Sequence, residues 1–272
     1  KIIQIEYRFK QTLTYDRSSI IMNWIYDTHI HLSDIAYESY FPFILNSMKK
    51  IHLKACCVSM DYTSAKTTLE LGKKSDLIFP FIGIHPEKAN DSTESILTLI
   101  EENKEQISGI GEIGLDDTYS DSDDELSRQE EIFRTQLSLA EKLKKPVSIH
   151  SRKTLDKIFK ILPSYNVTNV LLHWFDGNKK QLRDAMDLGC FVSFGPVMVY
   201  SQDKQVLLTK ADTDKILVET DGPVRFSRCF GYKEAQVSFI PSVIFSASKV
   251  LGVTYNELSE ILEQNSKSYL DI

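Results

Sequence analysis

Short apolar runs alternate with longer amphipathic stretches along most of the chain. Eight of the runs are rich in β-branched or aromatic residues: WIYDTHI (24–30), KACCVSM (54–60), LIFPFIGI (77–84), ISGIGEI (107–113), KPVSIH (145–150), TNVLLH (168–173), CFVSFG (190–195) and KILVET (215–220). Strands that are buried on both faces of a parallel sheet have this composition. The pattern therefore predicts eight strands of one parallel sheet.

The stretches between these runs have helical periodicity. Phe133, Leu137 and Ala140 recur at spacings of four and three, and charged residues occupy the opposite face. Similar stretches cover 62–73, 92–104, 153–162, 178–188, 201–210 and 234–250. Strands that alternate with helices in this way predict an α/β protein with a (β/α)8 TIM barrel. A doubly wound open sheet is the alternative, but no G-x-G-x-x-G motif follows the first predicted strand.

The predicted barrel accounts for residues 24–272 as a single domain. Residues 1–23 precede it as an N-terminal extension, in which Ile3, Ile5, Tyr7 and Phe9 alternate with polar residues. Such alternation predicts an extra, half-buried strand.

Charge and composition narrow the functional classes. The chain has 32 Lys and Arg against 38 Asp and Glu, a net charge of −6, so no basic stripe is expected to grip long duplex DNA. No run approaches the ~18 apolar residues of a membrane span, and the first residues do not form a signal peptide, so we expect a cytoplasmic protein. Four cysteines without a C-x-x-C motif are predicted to be reduced thiols in the core.

Side chains that bind metals fall at the predicted carboxyl ends of strands, where TIM barrels carry their active sites. The set is His29, His31, Glu112, His150, His173 and Asp221. Mixed imidazole and carboxylate ligands suit Zn, Mn, Fe or Co better than an all-oxygen cage does. Six ligands exceed the needs of one catalytic ion, so we predict two divalent ions, with Glu112 as the bridging carboxylate.

An ordered set of motifs resembles a known family. DTHIH, GIHPE, GEIGLD, PVSIHSR, LLHWFDG and ETDGP occur in the order found in TatD-like metal-dependent hydrolases. These are TIM-barrel members of the amidohydrolase superfamily and are described as deoxyribonucleases. The resemblance covers roughly residues 25–270 and implies that one ion binds His29, His31 and Asp221, the second binds His150 and His173, and Glu112 lies between them.

The same resemblance implies contacts with substrate. It puts His85 of GIHPE near the substrate and Arg152 of IHSR within reach of a phosphate. Trp174, after the sixth strand, either stacks on a base or packs under the next helix. Two departures affect substrate choice: Gly222 stands where the family usually has serine in E-T-D-S-P, and the sequence after it matches R-G-x-x-N-x-P poorly.

We therefore expect a deoxyribonuclease that uses two divalent ions (Mg, Mn, Zn or Co) to hydrolyse phosphodiester bonds in short single strands or at strand ends. Asp221 and Glu112 are the predicted catalytic residues, with Asp221 accepting the proton of the attacking water. One alternative is an amidohydrolase for a small amide, lactone or ester, although Glu112 stands where that superfamily often has lysine. The other is a non-catalytic metal-binding protein that docks a partner. The sequence predicts no oligomeric state.

Overall fold

The computed structural model describes residues 23–89, 93–120 and 122–272. The eight predicted strands are present: β1 Ile25–Ile30, β2 Leu53–Val58, β3 Ile78–Phe81, β4 Ile110–Asp116, β5 Val147–Arg152, β6 Val170–Leu172, β7 Phe191–Phe194 and β8 Ile216–Val218. β4 begins and ends three residues later than predicted, so Glu112 lies inside this strand. The predicted extension, apart from its last residue, lies outside the described residues.

Parallel pairing closes the strands into a barrel. The strands pair in chain order within β1–β3 and within β4–β8. Between β3 and β4, Phe81 forms a parallel bridge with Gly109. Between β8 and β1, the Asp221 amide donates to the His29 carbonyl over 2.9 Å, and the His31 amide donates to the Gly222 carbonyl over 2.8 Å. The TIM barrel prediction is confirmed, and the open-sheet alternative is wrong.

Helices surround this barrel: α1 Ile35–Glu38, α2 Phe41–Lys50, α3 Tyr62–Lys74, α4 Thr93–Glu102, α5 Asp123–Leu143, α6 Leu155–Ile161, α7 Lys179–Asp187, α8 Gln202–Leu208, α9 Ile240–Leu251 and α10 Tyr255–Leu270. Each predicted helical stretch contains a helix, whereas α1, α2 and α10 were not predicted. The prediction of a helix from residue 234 is wrong, because the chain reaches α9 through irregular structure and a 3₁₀ turn, Val237–Phe239.

The barrel interior is divided between an apolar amino end and a polar carboxyl end. Tyr26, Phe81, Leu171, Phe191 and Leu217 form one buried cluster with Tyr269 of α10. The Tyr269 hydroxyl donates to the carbonyl of Val147, the first residue of β5, over 3.1 Å. Helix α10 therefore covers the amino ends of the strands and leaves their carboxyl ends for the polar residues.

Two further sequence expectations concern cysteines and membrane spans. Cys56, Cys57 and Cys190 are buried and unpaired as predicted, but Cys229 is exposed. Among the described residues, no single helix is long and apolar enough to cross a membrane; one sharply bent pair, Val237–Leu251 with Tyr255–Leu270, passes that test of length and composition when taken together.

Candidate metal centre

The Glu112 carboxylate lies at the centre of the six predicted metal ligands. Its Oε2 atom is 3.4 Å from His29 Nε2 and 3.3 Å from His31 Nε2. Its Oε1 atom is 2.7 Å from His173 Nε2 and 2.9 Å from His150 Nδ1. The two oxygens therefore face two different pairs of histidines.

Asp221 lies on the Oε2 side of Glu112. Its Oδ1 atom is 3.6 Å from His29 Nε2 and 3.4 Å from His31 Nε2. Closure of the barrel causes this proximity, because the backbone bonds between β8 and β1 set Asp221 beside the end of the first strand. The structure thus brings all six predicted ligands together at the carboxyl end of the barrel.

Buried polar groups orient two of the histidine rings. His29 Nδ1 is 2.8 Å from the Ser148 hydroxyl, and the His29 ring stacks on the His173 ring with centroids 3.7 Å apart. On the other side of His173, Oε1 of the buried Glu219 is 3.6 Å from Nδ1. Glu219 in turn accepts hydrogen bonds from the Ser193 hydroxyl and the Trp174 amide. Such partners hold a ligating ring in a fixed orientation.

Asp116 is a site residue that the sequence prediction missed. Its Oδ2 atom is 2.7 Å from His150 Nε2, and its Oδ1 atom accepts hydrogen bonds from the Thr118 amide and hydroxyl. It belongs to the motif GEIGLD, but the predicted fourth strand ended at residue 113, which left Asp116 in the following loop. In the structure it is the last residue of β4, where side chains enter the site.

His85 lies after β3, beside the Oε1 half of the centre. Its Nδ1 atom accepts a hydrogen bond from the Glu87 amide over 3.2 Å, so the neutral ring carries its proton on Nε2. Nε2 is 3.6 Å from Glu112 Oε1, and the ring centroid is 4.5 Å from that of His150. In this tautomer His85 is a hydrogen-bond donor toward the site and offers no lone pair there.

Burial and neighbouring charged groups shift the pKa values of the residues in this cluster. Burial opposes ionisation of Glu112, but His173, His85 and His29 outweigh it and hold the Glu112 pKa well below its usual range. Burial also lowers the His31 pKa, yet hydrogen bonds with Asp221 and Glu112 raise it to about 10. Burial and the neighbouring His173 lower the His29 pKa to about 4. Without metal, these contacts favour the protonated form of His31 and the neutral form of His29. Burial also opposes protonation of His150, yet hydrogen bonds with Asp116 and Glu112 raise its pKa. The charge of Glu112 outweighs burial in the same way and raises the pKa of His173.

The donor set fits divalent metal ions. Among the described residues, His29 Nε2 is buried without a hydrogen-bond partner, although a polar atom in such a place normally has one. Two groups of possible donor atoms within 4.8 Å of one another share Glu112: one adds His29 and His31, the other adds His150 and His85, although His85 Nε2 could ligate only in the other tautomer. A third group joins His29, His173 and Glu219. Imidazoles around a shared carboxylate suit first-row transition metals.

A cavity of about 580 Å³ opens above this cluster. Arg152 is exposed at its rim, and Met60, Pro223 and Val224 provide apolar lining. The half-buried Trp174 lines the cavity, and its ring centroid lies 5.3 Å from that of Phe226 in the stretch after β8, so its packing partner is not the next helix; base stacking stays a prediction. His85 and Arg152, the other predicted substrate contacts, line the same cavity.

Comparisons with known proteins agree with this arrangement. The family described as TatD related DNase matches residues 26–271. An uncharacterized metal-dependent hydrolase of Bacillus subtilis, YabD, is 28% identical over 250 residues, which are 89% of this chain and 97% of that protein. Human deoxyribonuclease TATDN3 is 26% identical over 258 residues, or 88% of this chain and 92% of that protein.

A solved structure has the same fold. The TatD homologue YjjV of Escherichia coli superimposes with a TM-score of 0.84 at 21% identity, over 91% of this chain and 98% of that one. The family match extends from β1 to the last turn of α10 and so includes every strand of the barrel. The chain belongs to the TatD-related DNase family of metal-dependent hydrolases.

Proposed function

We propose that this protein is a deoxyribonuclease that hydrolyses phosphodiester bonds in short single strands or at strand ends, with two divalent ions as cofactors. One observation carries the proposal: the two oxygens of a single buried carboxylate, Glu112, face separate groups of histidines at the floor of an open cavity. The family match and the name of the human relative support DNA as the substrate.

The ligand assignment follows the two sides of Glu112. His29, His31 and Asp221 would hold one ion, His150 and His173 would hold the other, and Glu112 would contact both. When bound, such ions acidify water to near neutrality and offset the charge of the phosphate. Asp116 is then a positioning residue, since it hydrogen-bonds His150 on the far side of its ring. Glu219, by contrast, lies 3.6 Å from His173 Nδ1 without a hydrogen bond and acts on that ring through its charge.

Four side chains act on the attacking water or on the substrate. Asp221 accepts the proton of the attacking water, which is the usual work of a carboxylate at such a position. His85 donates its Nε2 proton toward an oxygen of the phosphate, because its Nδ1 atom is already engaged as an acceptor. Arg152 at the rim pairs with a phosphate charge, and Trp174 stacks on a base.

The size and charge of the cavity favour a strand end over a long duplex. About 580 Å³ is typical of a pocket for one small ligand, roughly the scale of a nucleotide. Asp34, Asp116 and Asp176 line the cavity together with one guanidinium, that of Arg152, and the lining that the structure describes holds no lysine, so it is net acidic. Binding of the scissile nucleotide therefore relies on metal ions at the floor of the cavity.

The decisive experiment loads purified protein with Mn, Mg, Zn or Co and offers it end-labelled single- and double-stranded DNA beside a panel of amides, lactones and esters. We expect metal-dependent cleavage of DNA, fastest on single strands, with two equivalents of metal per chain. Cleavage of the small amides or lactones alone would instead make the protein an amidohydrolase. Full metal content with no turnover of any substrate would favour a non-catalytic role.

A further inference from the structure

The segment that follows β8 forms a hairpin at the rim of the cavity. The Ala235 amide donates to the Val224 carbonyl over 3.0 Å, and Arg225 forms an antiparallel bridge with Glu234. The tip contains a 3₁₀ turn, Arg228–Phe230. We call residues 224–235 the rim hairpin; it starts three residues after Asp221.

Buried contacts fix the rim hairpin on the barrel. The side chain of Phe226 is buried and lies against Trp174. The Phe230 ring stacks on that of Phe239 with centroids 4.7 Å apart. The hydroxyl of the buried Tyr37 donates to the Ala235 carbonyl. One side of the hairpin is thus attached at three points, while its other side faces solvent.

The exposed side carries positive charge and an aromatic ring. Residues 222–233 contain Arg225, Arg228 and Lys233 and no acidic residue, in a chain whose net charge is −6. Glu234 pairs with Arg225 at 2.5 Å. Within the described part of the chain, no carboxylate lies at ion-pair distance from Arg228 or Lys233. Tyr232 is 69% exposed, although large aromatic side chains are usually more buried.

Consecutive residues of the chain line the metal cavity and a second depression beside it. Pro223 and Val224 line the cavity above the cluster, and the next residue, Arg225, lines a second depression of about 480 Å³ together with Tyr232 and Lys233. A strand whose end reaches Glu112 would therefore pass over Val224 onto Tyr232. Cations that bind phosphates, interleaved with an aromatic ring that stacks on bases, are typical of single-strand binding surfaces.

We propose that the rim hairpin binds the nucleotides next to the one that is cleaved, with Arg228 and Lys233 on phosphates and Tyr232 on a base. This inference rests on the proposed deoxyribonuclease activity. It makes affinity depend on strand length: a dinucleotide occupies the metal centre alone, whereas a 12-mer also occupies the hairpin. The ends of a blunt duplex offer no unstacked base to Tyr232 and gain little from it.

The test compares two double variants that remove the same charge. Arg228→Gln with Lys233→Gln changes the hairpin, and Lys49→Gln with Lys50→Gln changes two exposed lysines at the end of α2, which leads toward the amino ends of the strands. We measure KM and kcat on a dinucleotide and on a single-stranded 12-mer, and binding of the 12-mer against salt concentration.

For the hairpin variant we expect KM on the 12-mer to rise roughly tenfold or more and the salt slope to become shallower by about 1.4, since each phosphate contact on a single strand contributes about 0.7. Its kcat, its KM on the dinucleotide and its melting temperature should match those of the control. Tyr232→Ala should raise KM on the 12-mer roughly fivefold or more.

The outcomes separate the two proposals. If wild-type protein cleaves neither the dinucleotide nor the 12-mer, the deoxyribonuclease proposal fails. If it cleaves both and the two double variants have equal KM and salt slope on the 12-mer, the hairpin proposal fails alone. If the KM of the hairpin variant rises equally on a blunt duplex, the hairpin acts by charge attraction without base stacking. That result would overturn the single-strand assignment.

Discussion

The metal centre and the rim hairpin lie side by side at the mouth of the barrel, yet they are built differently. Every histidine and carboxylate of the centre comes from a strand or from the few residues that follow one, and most of them are buried. The hairpin belongs to an irregular stretch between β8 and α9, and its functional side chains are exposed. In the two proposals made above, the centre supplies the chemistry and the hairpin contributes to the choice of substrate.

The first prediction concerns the residue on which the centre depends most. Glu112→Gln keeps the size of the side chain but removes the negative charge that lies among His29, His31, His150 and His173. We expect metal content well below two equivalents and a loss of turnover of roughly 10⁴-fold or more, because the loss of bound metal adds to the loss of a catalytic carboxylate. Metal analysis and steady-state kinetics measure both. Retention of two ions by this variant would contradict the bridging assignment.

The second prediction separates metal binding from proton transfer. Asp221→Asn preserves shape and one carbonyl ligand but cannot take a proton from water. We expect it to retain much of its metal and to lose roughly 10²–10⁴-fold in kcat, the usual value for a positioned acid–base group. If turnover at saturating metal stays near the wild-type rate, the proton acceptor lies elsewhere, and His85 becomes the next candidate.

The sequence could indicate that the six predicted ligands lie together for a geometric reason. A residue at the carboxyl end of any barrel strand points to one shared place, so His29 and His173 can be assigned to the same site without knowing their contacts. The rule fails for a residue when the end of its strand is predicted at the wrong position. Asp116 was missed because β4 ends three residues later than the pattern of glycines and apolar residues indicated.

The rim hairpin could not be predicted in this way. It is held by contacts between residues far apart in the chain, such as Tyr37 with Ala235 and Trp174 with Phe226. Local periodicity does not reveal such pairs: the pattern predicts no element for residues 224–233 and begins a helix at residue 234, inside the hairpin. What the sequence did indicate was a departure from the family pattern at Gly222, without the reason for it.

The structure supplies that reason, and it leads to the third prediction. A Cβ atom on Gly222 would lie 2.0 Å from the Tyr37 hydroxyl and 2.6 Å from the Ala235 carbonyl oxygen. Gly222→Ser should therefore displace the base of the hairpin next to Asp221, with a loss of roughly 1–3 kcal/mol in stability, as for overpacked cores. We expect kcat/KM on a 12-mer to fall with it.

A second substitution provides the control. Tyr37→Phe removes the nearer of the two oxygens that the new Cβ meets and leaves the Ala235 carbonyl, so it relieves part of the clash. Tyr37→Phe alone should cost about 1 kcal/mol through the lost hydrogen bond. The double variant with Gly222→Ser should lose less stability and less activity than the two single variants lose together. A double-mutant cycle measures this difference. Strictly additive losses would mean that the two residues do not share this space.

The fourth prediction has the smallest effect and concerns protons. The folded pKa of His31, about 10, is raised above the unfolded value of 6.5. Its contribution to stability is thus fully present below pH 6.5 and is lost as the pH rises through 10. Metal-free protein should melt at progressively lower temperature over this range. Metal-loaded protein should lack this particular decline, because a divalent ion requires the neutral ring and displaces the proton.

Metal binding should therefore release protons from the metal centre. The number released should depend on residues of the metal centre and not on residues of the rim hairpin. Calorimetric titration of metal into metal-free protein at pH 8, in two buffers with different ionisation enthalpies, should report net release of protons and an affinity that rises with pH. The hairpin variant Arg228→Gln with Lys233→Gln should release the same number, since neither side chain belongs to the metal cluster, whereas His31→Asn should release fewer. If His31→Asn releases as many protons as the wild type, another histidine of the cluster holds the proton. If the hairpin variant releases a different number, the two regions are electrostatically coupled.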